Sequence, residues 1–271
     1  MAQADNKQQN KRISARERIQ EAQRREQTAA RRRQRIVVTV SAVAVLALAG
    51  GVAVAINSAG KDDQKSSAEA APSTALVVPA NASGQDGTVI TYGKADAPHT
   101  MEVYEDFRCP VCKEFEAANG QTVRKLTEDG QIKVQFHLAA FLDKALGGKG
   151  SHTALAAAGA ALNEGVDKFK AFHDVLYANQ PDERNDGFGD VNRVLELADQ
   201  VPGLKTDAFV KAVTDRTYAP WAAKVADAFN DSGVTGTPTI KVDGKSITLF
   251  SGRSAVTPEQ FTAQVKQAAG L

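Results

Sequence analysis

Glu105-Asp106-Phe107-Arg108-Cys109-Pro110-Val111-Cys112 is the stretch that decides the reading of this chain. It holds the only two cysteines among 271 residues, three positions apart, at the end of an alternating run that starts at Met101. A lone CxxC reads first as a dithiol that opens and closes. Half of a zinc site has the same spacing, but a closed structural site needs four Cys or His ligands. The remaining candidates, His99, His137, His152 and His173, are single and stand in no paired ligand spacing. An inert staple is the other alternative, although closing so short a loop removes little unfolded-state entropy. No metal and no cofactor is expected.

Outward from the cysteines the pattern is local and readable. Val89, Ile90 and Tyr92 predict a first strand and Thr100 to Glu105 a second, with Met101, Val103 and Glu105 alternating against Glu102 and Tyr104. Pro110 is suited to the first position of a helix, where its missing N–H costs nothing. Val111, Phe115, Ala118, Thr122 and Leu126 predict the inward stripe of that helix, with Asn119-Gly120 as a kink. Ile132 to Phe136 reads as a third strand. From about 150 to 229 the period becomes helical, with Phe169, Phe172, Val175 and Leu176 as core and breaks at Pro181, Gly187, Gly189 and Pro202-Gly203. Thr239 to Val242 and Ser246 to Phe250 flank Asp243-Gly244, the dipeptide of a tight type I′ hairpin. Thr257-Pro258-Glu259-Gln260 supplies an N-cap, a first-turn Pro and a capping-box Gln for a final helix. The folded α/β domain is thus placed at 88–271, with a helical insertion at about 150–229.

The amino-terminal part is of another kind. Residues 1–35 carry eleven Lys and Arg against four Asp and Glu, so the chain's net charge of +1 hides a strongly basic arm. Ile36 to Ile56 follows with no charge, and Thr39 and Ser41 are its only polar side chains. Twenty-one helical residues span about 31 Å, enough to cross a bilayer core. The Arg31-Arg32-Arg33-Gln34-Arg35 cluster predicts a cytoplasmic amino end and an external carboxyl end. A cleaved leader is the alternative, with Ala53-Val54-Ala55 as its site. Residues 57–87, rich in Ala, Ser, Asp, Lys and Gln, read as a flexible tether. Either topology exports the cysteines to where disulfides persist. The arm lacks interleaved aromatics and adjoins a membrane span, which argues against nucleic acid as a partner. Gly147-Gly148-Lys149-Gly150-Ser151 lacks phosphate-loop spacing and reads as an ordinary loop.

Taken together, Glu105 to Cys112, the later Val234-Thr235-Gly236-Thr237-Pro238-Thr239 and the long helical stretch between them resemble the thioredoxin superfamily, in particular its DsbA-like branch of exported thiol–disulfide oxidoreductases. The resemblance covers roughly 88–271. It implies a thioredoxin-like fold, a cis Thr237-Pro238 bond beside the dithiol, and pairing of the Thr237 backbone with a substrate peptide. It also implies Cys109–Cys112 as the redox disulfide, cysteine-containing exported proteins as clients, and a membrane redox partner that resets the pair.

At a helix start Cys109 faces unpaired N–H groups, which favour its thiolate, so it is expected to attack, and Cys112, one turn further in, to resolve. Val111 stands where strongly oxidising relatives place His and supplies no donor, which predicts a Cys109 pKa towards the thioredoxin end of a range of roughly 3.5 to 7. Arg108 is a candidate to restore some of that stabilisation. Alternation points one of Glu105 and Asp106 under the helix, where a buried carboxyl would relay the Cys112 proton; an exposed carboxylate is the equal alternative. None of the four histidines is given a catalytic role.

Overall fold

A computed structural model of the chain describes residues 75–271. The basic arm, the apolar stretch Ile36 to Ile56, the Ala53-Val54-Ala55 site and the first part of the tether lie outside the described residues. Among the described residues no helix is long and apolar enough to cross a membrane.

Five strands form the central sheet: β1 (Ile90–Tyr92), β2 (His99–Asp106), β3 (Ile132–Ala139), β4 (Thr239–Val242) and β5 (Lys245–Ser246), in the order β1-β3-β2-β4-β5. β2 and β3 run parallel, with Val103 opposite Phe136 and Glu105 opposite Leu138, while β1 and β4 run antiparallel to them. The helix α1 (Pro110–Glu128) makes the crossover between β2 and β3. It runs without interruption through Asn119-Gly120, where a kink was predicted; Asn119 is instead buried and donates to the Val256 carbonyl at 3.1 Å. Its inward face is Cys112, Phe115, Asn119, Val123 and Leu126, one position round from the predicted stripe, and Val111 is 41 % exposed.

After α2 (Phe141–Leu146), which has no predicted counterpart, come α3 (Gly150–Glu164), α4 (Val166–Ala178), a single 3-10 turn at Gly187–Gly189, α5 (Val191–Ala198), α6 (Asp207–Thr214) and α7 (Ala219–Asp231). Because side chains alternate across a strand, residues 103 and 105 of β2 face α1 and α4, whereas Tyr104 faces α7. On the first side Phe136 meets Phe169 edge-on, and on the other Tyr104 stacks on His137 and meets Phe229. Gly159 of α3 allows a close approach to α7, since a Cβ there would stand 2.7 Å from the Trp221 ring.

The hairpin turn is as expected: Asp243 and Gly244 both have positive φ, 48° and 77°. Its second arm is shorter than predicted, because Thr248 leaves the sheet to exchange two hydrogen bonds with the Gln264 side chain, and Phe250–Ser251 pairs with Ser254–Ala255 as the ribbon β6–β7. The last helix, α8 (Pro258–Ala269), begins with the complete Thr257/Gln260 capping box.

The expected tether over 57–87 ends before Gly87. Pro79 is buried, Asn81 donates to the Leu162 carbonyl at 2.8 Å, Ser83 bridges Val89, and the Trp221 indole donates to the Gly87 carbonyl at 2.7 Å. Residues from about Pro79 onward are therefore part of the packed body, held by polar contacts that composition alone does not reveal.

Candidate active site

The turn from β2 into α1 carries the dithiol. Cys109 is the N-cap of α1; its own N–H donates to the Asp106 carbonyl at 2.9 Å, and Pro110 opens the helix. No side-chain oxygen caps this helix end, so its free N–H groups face the Cys109 sulfur. Cys109 is 6 % exposed and Cys112 fully buried, and both thiols are free in this structure.

The two sulfurs sit in opposite electrostatic environments. Hydrogen bonding from the Cys112 thiol, with smaller contributions from Thr237 and the N–H groups of Cys112 and Val111, outweighs burial and holds the Cys109 thiol down to about 6. Cys112 is pushed well above the ordinary thiol range, first by burial, then by its bond to Cys109 and by the Glu105 charge. Cys109 can thus be a thiolate near neutral pH while Cys112 stays protonated. Thr237-Pro238 is cis, and the Cys109 thiol points at the Thr237 carbonyl at 3.5 Å. The two motifs are 128 positions apart in sequence and adjacent in space.

Arg108 does not serve the sulfur. It is buried, and its guanidinium donates to Asp143 at 2.7 Å, to the Gly147 carbonyl at 2.9 Å and to the Glu183 carbonyl at 3.0 Å, with Asp186 at 3.3 Å. It fastens the active-site turn to the helical region. Asp143 also accepts from the N–H groups of Ser151 and His152 and pairs with the His152 ring at 2.9 Å. Burial opposes its ionisation, but His152, these N–H groups and Arg108 hold the carboxyl well below the usual carboxylate range.

Neither Glu105 nor Asp106 is exposed; both are completely buried. Asp106 accepts from the Arg108 N–H at 2.9 Å, the Leu142 N–H at 3.2 Å and the Ser151 hydroxyl at 2.6 Å, so it ties β2 to α2 and α3. Glu105 lies on the α1 side. One oxygen meets the His173 ring at 3.0 Å and the other is buried with no partner. Burial first, then the Glu116 charge, push Glu105 up to about 8 in spite of His173. Burial alone would lower His173, but its bonds to Asp174 and Glu105 raise it to about 9. Both groups are therefore protonated at neutrality. Ligand atoms of Glu105, Glu116 and His173 lie within 4.8 Å of one another, but the His173 nitrogen is already engaged by Glu105.

Two contributors escape the sequence reading. His173 is set against Glu105 by the docking of α4, although its place beside Phe172 and one turn after Phe169 put it on the core stripe. Gln180, just after α4, donates to the carbonyls of Phe107 at 2.8 Å and Cys109 at 3.0 Å, and its own carbonyl accepts from Lys113. It pins the turn from the helical side, and Asn179-Gln180-Pro181 offers no signal beyond a helix end.

This geometry agrees with comparison to known proteins. The chain belongs to the thioredoxin family, whose model matches residues 85–267. Its relatives narrow the class: disulfide bond formation protein D of Bacillus subtilis is 29 % identical over 160 residues, covering 59 % of this chain and 69 % of that protein. The solved structure of DsbA from Mycobacterium tuberculosis superposes with a TM-score of 0.55 at 27 % identity, over 74 % of this chain and 91 % of the other. BdbD from Bacillus subtilis gives a TM-score of 0.57 at 25 % identity, over 73 % of this chain and all of that one. The protein is a thiol–disulfide oxidoreductase with a thioredoxin-like α/β fold.

Proposed function

We propose that the protein is a membrane-tethered oxidant of cysteine pairs in exported proteins, with Cys109 as the exchanging sulfur and Cys112 as the resolving one. The observation that carries this reading is the asymmetry of the pair: a rim sulfur held down to about 6, and a buried one pushed up. A client thiolate attacks Cys109 of the enzyme disulfide, and the client's second thiolate then displaces Cys109 as a stabilised leaving group. Pairing of the Thr237 backbone with the client is supported by the Thr237 carbonyl lying 3.5 Å from the Cys109 sulfur. Support for the tether is the charge-free stretch Ile36 to Ile56 behind its Arg cluster, which puts the catalytic body outside the cytoplasm of a bacterial cell and within reach of a membrane partner that reoxidises it. The test is to quench growing cells in acid, block free thiols and separate the redox forms. The pair should be mainly disulfide-bonded; a mainly reduced pair overturns the oxidant reading.

Val111 favours a second reading within the same chemistry. Its side chain offers the thiolate no donor, and a value of about 6 lies at the weaker end of the range for such sulfurs. A reductase or isomerase, for instance in cytochrome c maturation, would show a reduction potential near −270 mV, the thioredoxin value.

A further inference from the structure

We infer that His173, carried by α4 of the helical region, is a positioning residue that holds the Glu105 carboxyl on the α1 side of the sheet and stores the proton that this carboxyl exchanges with Cys112. This rests on the reading of Cys109 and Cys112 as the exchanging pair.

The need arises from the burial of Cys112. When a client thiolate attacks Cys109, the enzyme S–S bond breaks and its electron pair leaves on the Cys112 sulfur. A bare thiolate at a site with no solvent exposure, beside the Glu105 carboxyl, is strongly disfavoured. A proton must reach it from inside the protein. Glu105 donates one, and the His173 imidazolium, 3.0 Å from the carboxyl, replaces it and becomes neutral. The second ring nitrogen keeps its N–H towards Asp174 at 3.3 Å, a half-buried residue on the wall of a cleft of about 330 Å³ between α1 and α4, so the neutral ring stays in place, and Nε2 recovers its proton from Glu105 when exchange runs in reverse. In the reverse direction the Cys112 proton passes to the Glu105 carboxylate, the Cys112 sulfur attacks the mixed disulfide at Cys109, and the substrate leaves as its thiolate.

The surroundings make this histidine a store and not simply a packed ring. Its walls are the rings of Phe107, Phe136, Phe169 and Tyr177. The ionisable groups facing it are Glu105 from β2, Glu116 from α1, and Lys170, Asp174 and Tyr177 from its own helix. Arg124 of α1 and Lys170 both pair with Asp174; against burial, its bond to His173 and then Lys170 hold that carboxyl well below the usual carboxylate range. The second Glu105 oxygen has no partner, so it is free to take or give a proton.

The test separates the two thiol steps in the full-length protein in detergent micelles. Reduced protein is mixed with oxidised glutathione between pH 5 and 9, quenched in acid and weighed by mass spectrometry, which resolves the reduced, mixed-disulfide and intramolecular forms. His173→Gln and His173→Phe should form the mixed disulfide at the wild-type rate but close it at least about tenfold more slowly at neutral pH, with a changed pH profile. Gln keeps an N–H for Glu105 but cannot exchange a proton, so a purely structural histidine would be rescued by it. Closure in His173→Gln within twofold of wild type at every pH overturns the inference, and this variant decides if the Phe variant fails to fold. A wild-type protein that forms no mixed disulfide at all overturns the exchange reading instead.

Discussion

Glu105 and Asp106 are neighbours in sequence, equally buried, and opposite in use. Strand alternation sends them to different faces of β2. Asp106 meets three donors, two backbone N–H groups and the Ser151 hydroxyl, which offset part of the burial that raises its pKa, and it acts as a rivet between β2, α2 and α3. Glu105 meets one histidine and leaves its other oxygen buried without a partner, so its protonation state stays adjustable. The number and rigidity of the donors, not the carboxyl itself or its burial, separate scaffold from chemistry.

Breaking the rivet side should have the largest effect on stability and little on the sulfur. Arg108→Ala leaves Asp143 buried without its guanidinium and should cost about 3–5 kcal/mol in urea denaturation. The pH midpoint of Cys109 alkylation should be unchanged, because Arg108 points to Asp143, Gly147 and Glu183. Asp106→Asn removes part of one acceptor set and should cost about 1–3 kcal/mol, again with the midpoint unmoved.

The chemical side should instead reveal itself through pH. Glu105 keeps its proton to about 8 in the fold but would release it near 4.5 when unfolded, and His173 keeps its own to about 9 against 6.5. The folded state thus binds more protons than the unfolded one between those limits, and stability falls as pH rises through that window. The urea midpoint of the oxidised protein, in which neither cysteine titrates, should be lower at pH 9 than at pH 5. In Glu105→Gln the slope should flatten; an unchanged slope would mean that Glu105 does not titrate in that window. The smallest effect concerns Val111→His, which adds a donor at the helix start. Each tenfold gain in stabilisation of the reduced form raises the reduction potential by about 30 mV, and a shift of that order is expected against glutathione.

The strand, Cys-Pro helix and strand, the type I′ turn and the capping box were legible because each is fixed by residues within one or two turns of itself. The cis Thr237-Pro238 contact was reached through family resemblance, since nothing local places residue 237 against residue 109. Arg108 was misplaced because its partners, Asp143, Gly147 and Glu183, come from loops whose positions depend on the docked helices. Buried relay and exposed carboxylate stayed open for Glu105 and Asp106 for a related reason: alternation distinguishes the two faces of β2, but not that both are covered at its end. His173 was passed over because a single histidine on an apolar stripe carries no local mark of the carboxylate it will meet. The phase of α1 also slipped, since Val111 looks like core while its place in the first turn exposes it.

The central claim is that Cys109 is a stabilised thiolate set against a buried, protonated Cys112. Its most direct test is the rate of iodoacetamide alkylation of the reduced full-length protein as a function of pH, with the modified residue identified by peptide mapping. The account predicts reaction at Cys109 alone with a midpoint near 6; a midpoint near 9, or equal modification of Cys112, would contradict it.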